Sequence, residues 1–350
     1  MTFEEIFAID TSNMYSLIKK FPDQVEEALK IGTTAKVRLS ARGVQNIVLC
    51  GLGGSAIGGD LLKSYLGGDI DVPFIVNRHY VLPAFVDKGS LVIISSYSGN
   101  TEETTTAFRE ALKRRARILC ISSGGEVEKL ARKRKIAMIK IPGGLPPRAA
   151  LGYSFFPLLI TLGKLGLTRN QSKELRETLD LLREKSDEYG NPDPESNSAF
   201  NIAGQLRGRI GIIYSSTERF DAVATRWRGQ MAENGKSLMF GHVLPEMNHN
   251  ELVGWNVLRD QMREMQVLFL RDKEDHPRVK MRMDITRGIV TEFAAHTTEV
   301  WSEGTSLLAR MFSLVYLGDW VSYHLAILHG VDPTPVKVID FLKDELSRRP

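Results

Sequence analysis

Short apolar runs alternate with amphipathic stretches along this chain, and this alternation most constrains its fold. Five runs in the first half are continuously apolar and rich in β-branched residues, which is typical of strands buried on both faces of a parallel sheet. These runs are Asn46–Cys50, Pro73–Val76, Leu91–Ile94, Arg117–Ile121 and Ala137–Ile141. Apolar residues at helical spacing lie between them, in Ile57–Leu66, Glu102–Arg115 and Glu126–Lys133. The pattern predicts βαβ units in a doubly wound sheet.

The second half repeats this plan. Its predicted strands are Arg209–Tyr214, Ser237–Met239, Glu264–Leu270 and Thr298–Ser302, and its predicted helices are Phe220–Glu233, Arg278–Ala294 and Thr305–Leu328. Helical stretches at Tyr153–Gly166 and Gln171–Tyr189 separate the two halves. A length of 350 residues also favours two domains over one. We therefore expect an α/β fold with two domains, each a parallel sheet flanked by helices, at residues 36–165 and 196–342, joined by a helical linker at 166–195.

Composition excludes several classes of protein. The chain is 43% hydrophobic and 25% charged, which is ordinary for a globular enzyme and excludes a disordered chain or a disulfide scaffold. Its net charge of 46 − 42 = +4 is too small to indicate a nucleic acid partner. The acidic N-terminal segment does not resemble a signal peptide, and the apolar patches are shorter than a membrane span. We expect a cytoplasmic protein without a membrane partner, with Cys50 and Cys120 as buried apolar side chains.

Two loops rich in glycine and hydroxyl residues directly follow predicted strands of the first block. One runs from Gly51 to Asp60 with the sequence GLGGSAIGGD, and the other from Ser95 to Glu103 with the sequence SSYSGNTEE. Ligands of open parallel sheets bind beyond the carboxyl ends of the strands. Glycines let the backbone come close to a ligand, and a following helix presents its positive end to an anion. Both loops are therefore candidate anion-binding loops.

The first loop by itself is compatible with two ligands. Gly51, Gly53 and Ala56 fit the dinucleotide fingerprint, and Asp69 or Asp71 lies near the distance expected for a ribose-binding acid. An NAD-dependent dehydrogenase that uses Gly51–Ala56 is therefore one alternative, and a tight strand–helix turn without a ligand is another.

The second loop favours a phosphate over a dinucleotide. Ser96, Ser98 and Thr101 offer three hydroxyls within six residues. Asn100 and Glu103 have N-cap and N3 spacing, so we expect the next helix to begin there. Three hydroxyls at the start of a helix are typical of a phosphate site, although each one could instead be an ordinary turn residue.

Together the two loops resemble a sugar isomerase (SIS) domain, in which such loops hold a sugar phosphate. Within that group, the segments PPRAALGYSFFPLL, MAENGK, PEMNHNE and HGVDPTPVKVIDFLK resemble the bifunctional phosphoglucose/phosphomannose isomerases, and the resemblance spans about residues 47 to 343. It implies two SIS-like domains and reversible conversion of glucose and mannose 6-phosphates to fructose 6-phosphate through a cis-enediolate. It also implies a homodimer that needs neither metal nor cofactor. The substrate-binding residues that we expect are Gly54, Ser55, Ser96, Ser98, Thr101 and Arg148.

An aldose–ketose isomerase needs a base, a group that opens the sugar ring and cations against the enediolate charge. The resemblance places the base at Glu233 and gives ring opening to His249, delivered from the other subunit. It places Lys337 beside His249 and makes Arg148 the group that shields the enediolate. From the residues alone, each of these four could equally be a solvated surface side chain, and Glu246 and Glu251 are the next candidates for the base.

Two further alternatives concern the histidines and the chemistry as a whole. The spacing of His242, His324 and His329 matches no metal-binding motif, so we expect no metal site. A non-catalytic SIS protein that only binds a sugar phosphate would keep the hydroxyl loop but would not need Glu233 or His249.

Overall fold

Five parallel strands form the first sheet of the computed structural model, which describes residues 2–191 and 193–348. The strands are β1 Asn46–Cys50, β2 Phe74–Asn77, β3 Ser90–Ser95, β4 Arg117–Ser122 and β5 Ala137–Lys140. Their order across the sheet is β2-β1-β3-β4-β5. The three central strands, β1, β3 and β4, are almost wholly buried, which confirms the interpretation of the apolar runs.

Four parallel strands form the second sheet: β6 Ile210–Ser216, β7 Met239–Leu244, β8 Met265–Arg271 and β9 His296–Trp301. Their order, β7-β6-β8-β9, repeats that of the first four strands of the first sheet. The predicted α/β fold with two parallel sheets is confirmed. The strand predicted at Ser237–Met239 was wrong, because β7 begins only at Met239. β7 is an edge strand with an exposed Phe240 and a half-exposed Gly241 and His242, so it lacks the continuous apolar pattern.

Fourteen helices are described around the sheets. They are α1 Phe3–Ile9, α2 Met14–Lys19, α3 Phe21–Thr34, α4 Gly53–Leu66, α5 Glu102–Lys113, α6 Gly125–Arg134, α7 Leu151–Lys164, α8 Ser172–Tyr189, α9 Ser198–Leu206, α10 Asp221–Glu233, α11 Arg259–Met262, α12 Pro277–Thr291, α13 Leu307–Leu328 and α14 Lys337–Ser347. Short 3-10 helices occupy Pro147–Ala149, Pro194–Ser196, Glu246–His249 and Glu251–Gly254. Both stretches between the sheets, near 151–164 and 172–189, are helical as predicted. The exact domain bounds stay a prediction.

Helix α13 is the central helix of the core. It is apolar on all sides, as expected for a helix surrounded by protein, and its side chains from Leu308 to Ile327 are buried. By length and composition it could cross a membrane, but nearly all of it is buried inside the protein. It packs against α8, α9 and α10, and Trp227 of α10 donates a hydrogen bond to the carbonyl of Leu314 (2.8 Å).

The two faces of the second sheet are covered by different parts of the chain. Ile213 and Leu268 point to the face that packs on α10 and α13 in the main core. Tyr214 and Phe269 point to the opposite face, where they pack on α12 and on the segment 247–262. The side of α12 and of this segment that faces away from the sheet therefore forms the outside of the second domain.

Candidate functional site

The two candidate loops meet at the carboxyl ends of β1 and β3, where the strand order reverses. The Ser55 hydroxyl accepts a hydrogen bond from the backbone N–H of Tyr97 (3.1 Å) and so joins the two loops. The hydroxyls of Ser96 and Thr101 lie 3.2 Å apart, and Ser96 also accepts from the N–H of Gly99 (3.1 Å). The predicted hydroxyls thus lie on two loops that are bonded to each other. We call this place the hydroxyl cup and define it by Ser55, Ser96, Ser98 and Thr101.

Ser98 and Asn100 differ from the other residues of the two loops. Ser98 is exposed, and its hydroxyl accepts from the N–H of Asn100 (3.3 Å). The prediction that Asn100 caps the next helix was wrong, because the N-cap of α5 is Thr101 and no side chain caps the helix. The side-chain oxygen of Asn100 instead accepts from the N–H of Glu126 (3.0 Å) in α6. Both α4 and α5 begin at the cup, so their positive ends face the same space.

Two glycines are required by the close packing around the cup. A Cβ at Gly54 would lie 2.5 Å from the carbonyl oxygen of Pro147, so the first turn of α4 touches the loop that carries Arg148. Gly99 has φ +74°, and a Cβ there would lie 1.8 Å from the carbonyl oxygen of Gly124. Only glycine fits both positions. The cup and Arg148 are therefore neighbours although they are far apart in sequence.

Arg148 connects the first domain with the C-terminal half of the chain. Its side chain is 5% exposed. It donates to the side-chain oxygen of Asn234 (2.6 Å) and to the carbonyls of Pro333 (3.0 Å) and Thr334 (2.7 Å). Burial lowers the pKa of this guanidinium, and the nearby Glu233 carboxylate opposes that shift. Arg148 is thus a fixed, buried cation beside the cup.

Glu233 is the last residue of α10 and faces Arg148. Its Oε2 lies 3.5 Å from Nη1 of Arg148, and its side chain is 36% exposed. At this distance the guanidinium attracts the carboxylate but does not hold it in a short hydrogen bond. The carboxylate is therefore free to accept a proton from a ligand while a cation stands beside it.

The sequence prediction missed the residues that support this pair. Arg226 donates to the backbone carbonyl of Arg148 (3.1 Å) and to the buried carboxylate of Asp319 (2.7 Å). Asn234 receives the hydrogen bond of Arg148 and donates its own to Ser322 (3.1 Å). Arg226 and Asp319 lie on the buried sides of α10 and α13. A charged residue inside an otherwise apolar helix pattern was the sequence signal that could have revealed them.

Lys236 is a further missed residue at this site. Its ammonium donates to the carbonyls of Glu233 (2.5 Å), Pro333 (3.0 Å) and Pro335 (2.6 Å). Partial burial, followed by the charge of Arg148, lowers the pKa of this ammonium. Lys236 thereby ties the end of α10 to the segment that leads into α14.

Lys337 follows this group of residues closely in the sequence. His249, in contrast, lies far from the group in space. Lys337 is the exposed first residue of α14, two residues after Pro335. His249 is exposed at the end of a 3-10 helix that follows β7. Glu233 instead precedes β7, and β7 has six residues. At about 3.3 Å per residue the two ends of β7 are roughly 17 Å apart, so Glu233 and His249 lie at opposite edges of the second sheet.

The two reserve candidates for the base have other partners. Glu251 accepts a hydrogen bond from the hydroxyl of Tyr214 (2.6 Å), which also receives one from Trp255 (3.0 Å). Glu246 is exposed on the same 3-10 helix as His249 and accepts from the side chain of Asn250 (3.1 Å). Both carboxylates are thus at the edge of the second sheet that lies away from Glu233.

The dinucleotide alternative requires an acid at the carboxyl edge of the first sheet. Asp69 and Asp71 both precede β2 and therefore lie at its amino edge, and Asp69 is paired with Arg169 (2.7 Å). Neither carboxylate is placed to bind a ribose above the cup. This geometry disfavours the dehydrogenase.

The three histidines considered for a metal are dispersed in the structure. His324 is buried, bonds to the carbonyl of Tyr189 (2.8 Å) and stacks on Trp320, and burial lowers its pKa to about 4. His329 lies near the carbonyl of Gly235, and His242 is on the edge strand β7. Within residues 2–191 and 193–348, no group of three His, Cys, Asp or Glu side chains could hold a metal ion.

Comparison with known proteins gives consistent matches. The sequence model of the bacterial phospho-glucose isomerase C-terminal SIS domain matches residues 195–346. A bifunctional phosphoglucose/phosphomannose isomerase of Caldicellulosiruptor bescii is 43% identical over 95% of this chain and 99% of its own length. The protein of the same name from Aquifex aeolicus is 40% identical over 87% of this chain and 91% of its own length.

A solved structure extends the comparison to the fold. The glucose-6-phosphate isomerase like protein of Thermus thermophilus superimposes with a TM-score of 0.62 over 97% of both chains, at 20% identity. At this identity the likeness concerns the fold alone. The arrangement of two parallel sheets is therefore shared with a known structure.

Proposed function

Because the chain belongs to the bifunctional phosphoglucose/phosphomannose isomerase family, we propose that its reaction takes place between the hydroxyl cup and Glu233. It is an isomerase that interconverts glucose 6-phosphate and mannose 6-phosphate with fructose 6-phosphate. The observation that carries the site is the contact of three parts of the chain: the cup, the buried Arg148 and the end of α10. Each supplies a different requirement of the reaction.

The phosphate group of the substrate binds in the hydroxyl cup. Gly54 and the hydroxyls of Ser55, Ser96, Ser98 and Thr101 are its neighbours there, and the positive ends of α4 and α5 favour its negative charge. Binding at this end fixes the sugar so that carbons 1 and 2 extend toward Arg148 and Glu233. The same contacts are made in the ground state and in the transition state.

Glu233 acts as the base that moves the proton between carbons 1 and 2. Its carboxylate is partly exposed and is not committed to a short hydrogen bond, so it can take the proton from one carbon and return it to the other on the same face. Arg148 stabilises the negative charge that develops on the enediolate oxygens. Loss of the proton from carbon 2 erases the configuration of that carbon, so glucose and mannose phosphates share one intermediate.

Ring opening is the task of His249 and Lys337. Lys337 begins α14 next to the site, whereas His249 of the same chain is on the far edge of the second sheet. We propose that His249 acts in the active site of the second subunit of a homodimer. The separation of roughly 17 Å between Glu233 and His249 within one chain then does not keep them from acting on one substrate. Sugar 6-phosphates are the binding partners, and we propose a cytoplasmic location because the relatives are metabolic enzymes.

The decisive test of the function is stereochemical. The purified protein is incubated with fructose 6-phosphate without nicotinamide or added metal, and the aldose phosphates are separated and identified. We expect both glucose 6-phosphate and mannose 6-phosphate. Formation of neither would contradict the proposal, and a requirement for a nicotinamide would favour the dehydrogenase. A protein that bound fructose 6-phosphate without any turnover would be the non-catalytic SIS alternative.

Mixing two inactive variants tests the position of His249. If His249 serves the neighbouring site, a heterodimer of His249→Ala and Glu233→Gln has one site with both changes and one with neither. Equal amounts that exchange subunits at random should then recover about a quarter of the wild-type activity. No recovery would place His249 in the site of its own chain, and an active His249→Ala variant before mixing would place His249 outside the reaction.

A further inference from the structure

The stretch of chain that leads into α14 supplies three consecutive carbonyl oxygens to the cations of the site. Arg148 donates to the carbonyls of Pro333 (3.0 Å) and Thr334 (2.7 Å). Lys236 donates to the carbonyls of Pro333 (3.0 Å) and Pro335 (2.6 Å). The two prolines fix their own φ near −65° and favour an extended conformation in the residue before each of them. The stretch is neither helix nor strand, so these oxygens are left for donors from other parts of the chain.

These acceptors hold the guanidinium of Arg148 in place without cancelling its charge. A guanidinium has five N–H donors. Nε of Arg148 donates to the amide oxygen of Asn234 (2.6 Å), and Nη2 donates to the carbonyls of Pro333 and Thr334. Nη1 faces the carboxylate of Glu233 at 3.5 Å. The side chain is therefore fixed by neutral oxygens through Nε and Nη2, and Nη1 is the nitrogen directed toward the base and the substrate.

Asp332 determines the shape of this stretch, and we call residues 332–335 the carbonyl segment. Its Oδ1 accepts a hydrogen bond from the backbone N–H of Thr334 (2.9 Å), a side-chain turn that is typical of aspartate. Its Oδ2 accepts from the hydroxyls of Thr11 (2.6 Å) and Ser12 (3.4 Å). One carboxylate thus closes the turn of the carbonyl segment and also fastens it to the N-terminal part of the chain, 321 residues away in sequence.

The N-terminal turn that carries Thr11 is itself anchored in the core. The carboxylate of the neighbouring Asp10 is buried and accepts from the backbone N–H groups of Met14 (2.8 Å) and Tyr15 (2.8 Å). It also accepts from the hydroxyl of Tyr323 (3.2 Å) in the central helix α13. The hydroxyl of Thr11 therefore lies at a position that the core determines, and Asp332 transmits this position to the carbonyl segment.

We propose that Asp332 is a positioning residue of the reaction, which holds the carbonyl segment in the shape that directs Nη1 of Arg148 at the enediolate. The inference rests on the proposed function, in which Arg148 stabilises the charge of that intermediate. The phosphate binds at the hydroxyl cup in the ground state and in the transition state, whereas the enediolate charge develops only during the reaction. A displaced guanidinium therefore affects kcat more than KM.

Steady-state kinetics with fructose 6-phosphate test this role. Asp332→Ala removes both sets of hydrogen bonds, and we expect kcat to fall about tenfold with KM within about twofold. Asp332→Asn should keep kcat within about threefold, because its amide oxygen accepts from Thr334 and its NH₂ donates to the Thr11 hydroxyl. Asp87→Ala is the matched control. That carboxylate also accepts from the N–H two residues later, at Gly89 (2.7 Å), but it precedes β3 at the amino edge of the first sheet, so kcat should stay at the wild-type value.

A double-mutant cycle shows whether Asp332 acts through Arg148. Arg148→Lys keeps a cation but loses the planar fork that bonds to the two carbonyls. If Asp332 acts through this fork, Asp332→Ala should lower kcat by less than about twofold in the Arg148→Lys protein, against about tenfold in wild type. A merely structural role would lower kcat by the same factor in both proteins and would overturn the inference.

A second variant tests the anchor of the carbonyl segment. Thr11→Val removes the hydroxyl that bonds to Asp332 and keeps the shape of the side chain. We expect kcat to fall about 2- to 5-fold, which corresponds to one hydrogen bond of about 0.5–1 kcal/mol. This change lies at an exposed residue, so it remains a test if circular dichroism shows that Asp332→Ala is unfolded. An unchanged kcat in Thr11→Val would overturn the anchoring.

The outcomes separate this inference from the proposed function. A wild type that turns over fructose 6-phosphate beside an equally active Asp332→Ala would overturn the positioning role and leave the function intact. A loss confined to KM would overturn it as well, and so would an Asp332→Asn variant as slow as Asp332→Ala, because the charge and not the hydrogen bonds would then matter. An inactive wild type would refute the function and the inference together.

Discussion

The two sheets share one strand order, but different kinds of residue lie at their carboxyl edges. At the first sheet, the loops after β1 and β3 are rich in glycines and hydroxyl residues, and they lie beside the buried Arg148. At the second sheet, Asp272 follows β8 and pairs with Arg310 (2.8 Å), and it also accepts from Ser302 (2.5 Å). Asp272 and Arg310 are thus a fully buried ion pair, and Ser302 adds a hydrogen bond to it. The same topology thus carries the proposed phosphate site at one sheet and a structural ion pair at the other, depending on the residues that follow the strands.

The largest effect on activity should come from replacing Glu233, the proposed base. Glu233→Gln keeps the size of the side chain but cannot accept a proton. We expect kcat to fall by about 10²–10⁴-fold with KM little changed, since the carboxylate acts in proton transfer and contributes little to binding. Steady-state kinetics with fructose 6-phosphate measures this. A loss that appeared only in KM would mean that Glu233 binds substrate without serving as the base.

At the second sheet the largest effect should be on stability. Asp272→Ala removes the fully buried carboxylate that pairs with Arg310 and leaves this buried guanidinium only the pairing with Glu274, whose carboxylate is 55% exposed. We expect a loss of about 3 kcal/mol in the free energy of unfolding. Asp284→Ala is the control, because its carboxylate is 60% exposed and Arg271 keeps Glu299 as a second partner. That change should cost less than about 1 kcal/mol. Urea denaturation of both variants tests the difference, and equal losses would contradict it.

A smaller effect is expected in the hydroxyl cup. Ser96→Ala and Thr101→Ala each remove a neutral hydroxyl that contacts substrate and transition state alike. We expect KM to rise roughly 5- to 12-fold, which corresponds to about 1–1.5 kcal/mol per hydrogen bond, with kcat nearly unchanged. Ser98→Ala should act in the same direction. Losses confined to kcat in all three variants would count against the cup as the phosphate site.

The smallest effect is expected from a buried serine of the second sheet. Ser215 is fully buried near the carboxyl end of β6, and its hydroxyl has no hydrogen-bond partner among the described residues. Ser215→Ala should therefore leave KM at the wild-type value, within about twofold, since no partner is lost. A rise in KM as large as that of Ser96→Ala would show that the second edge also takes part in binding.

The sequence predicted the elements that are buried from end to end. The strands of the first sheet were located within about one or two residues, because a continuous apolar run has few other interpretations. β7 was misplaced because an edge strand exposes Phe240 and has no such run. The N-cap of α5 was misassigned because Asn100 and Thr101 are both residue types that can cap a helix. The side chain of Asn100 bonds instead to Glu126 of α6.

The candidate site was predictable in its parts but not in its assembly. Glycine and hydroxyl loops could be recognised locally, and the family resemblance supplied Arg148 and Glu233. The hydrogen bonds of Arg148 to the carbonyls of Pro333 and Thr334 could not be predicted, because they join segments 185 and 186 residues apart and use backbone atoms that every residue has. The support from Lys236 was missed for the same reason.

Solvent-deuterium exchange at carbon 1 of fructose 6-phosphate tests most directly whether Glu233 transfers the proton. Exchange and full turnover are followed together in wild type, Glu233→Gln and His249→Ala. We expect Glu233→Gln to abolish both, whereas His249→Ala should spare exchange from the open chain more than turnover of the cyclic aldose. Exchange at the wild-type rate in Glu233→Gln would contradict the account, because another group would then have to transfer the proton.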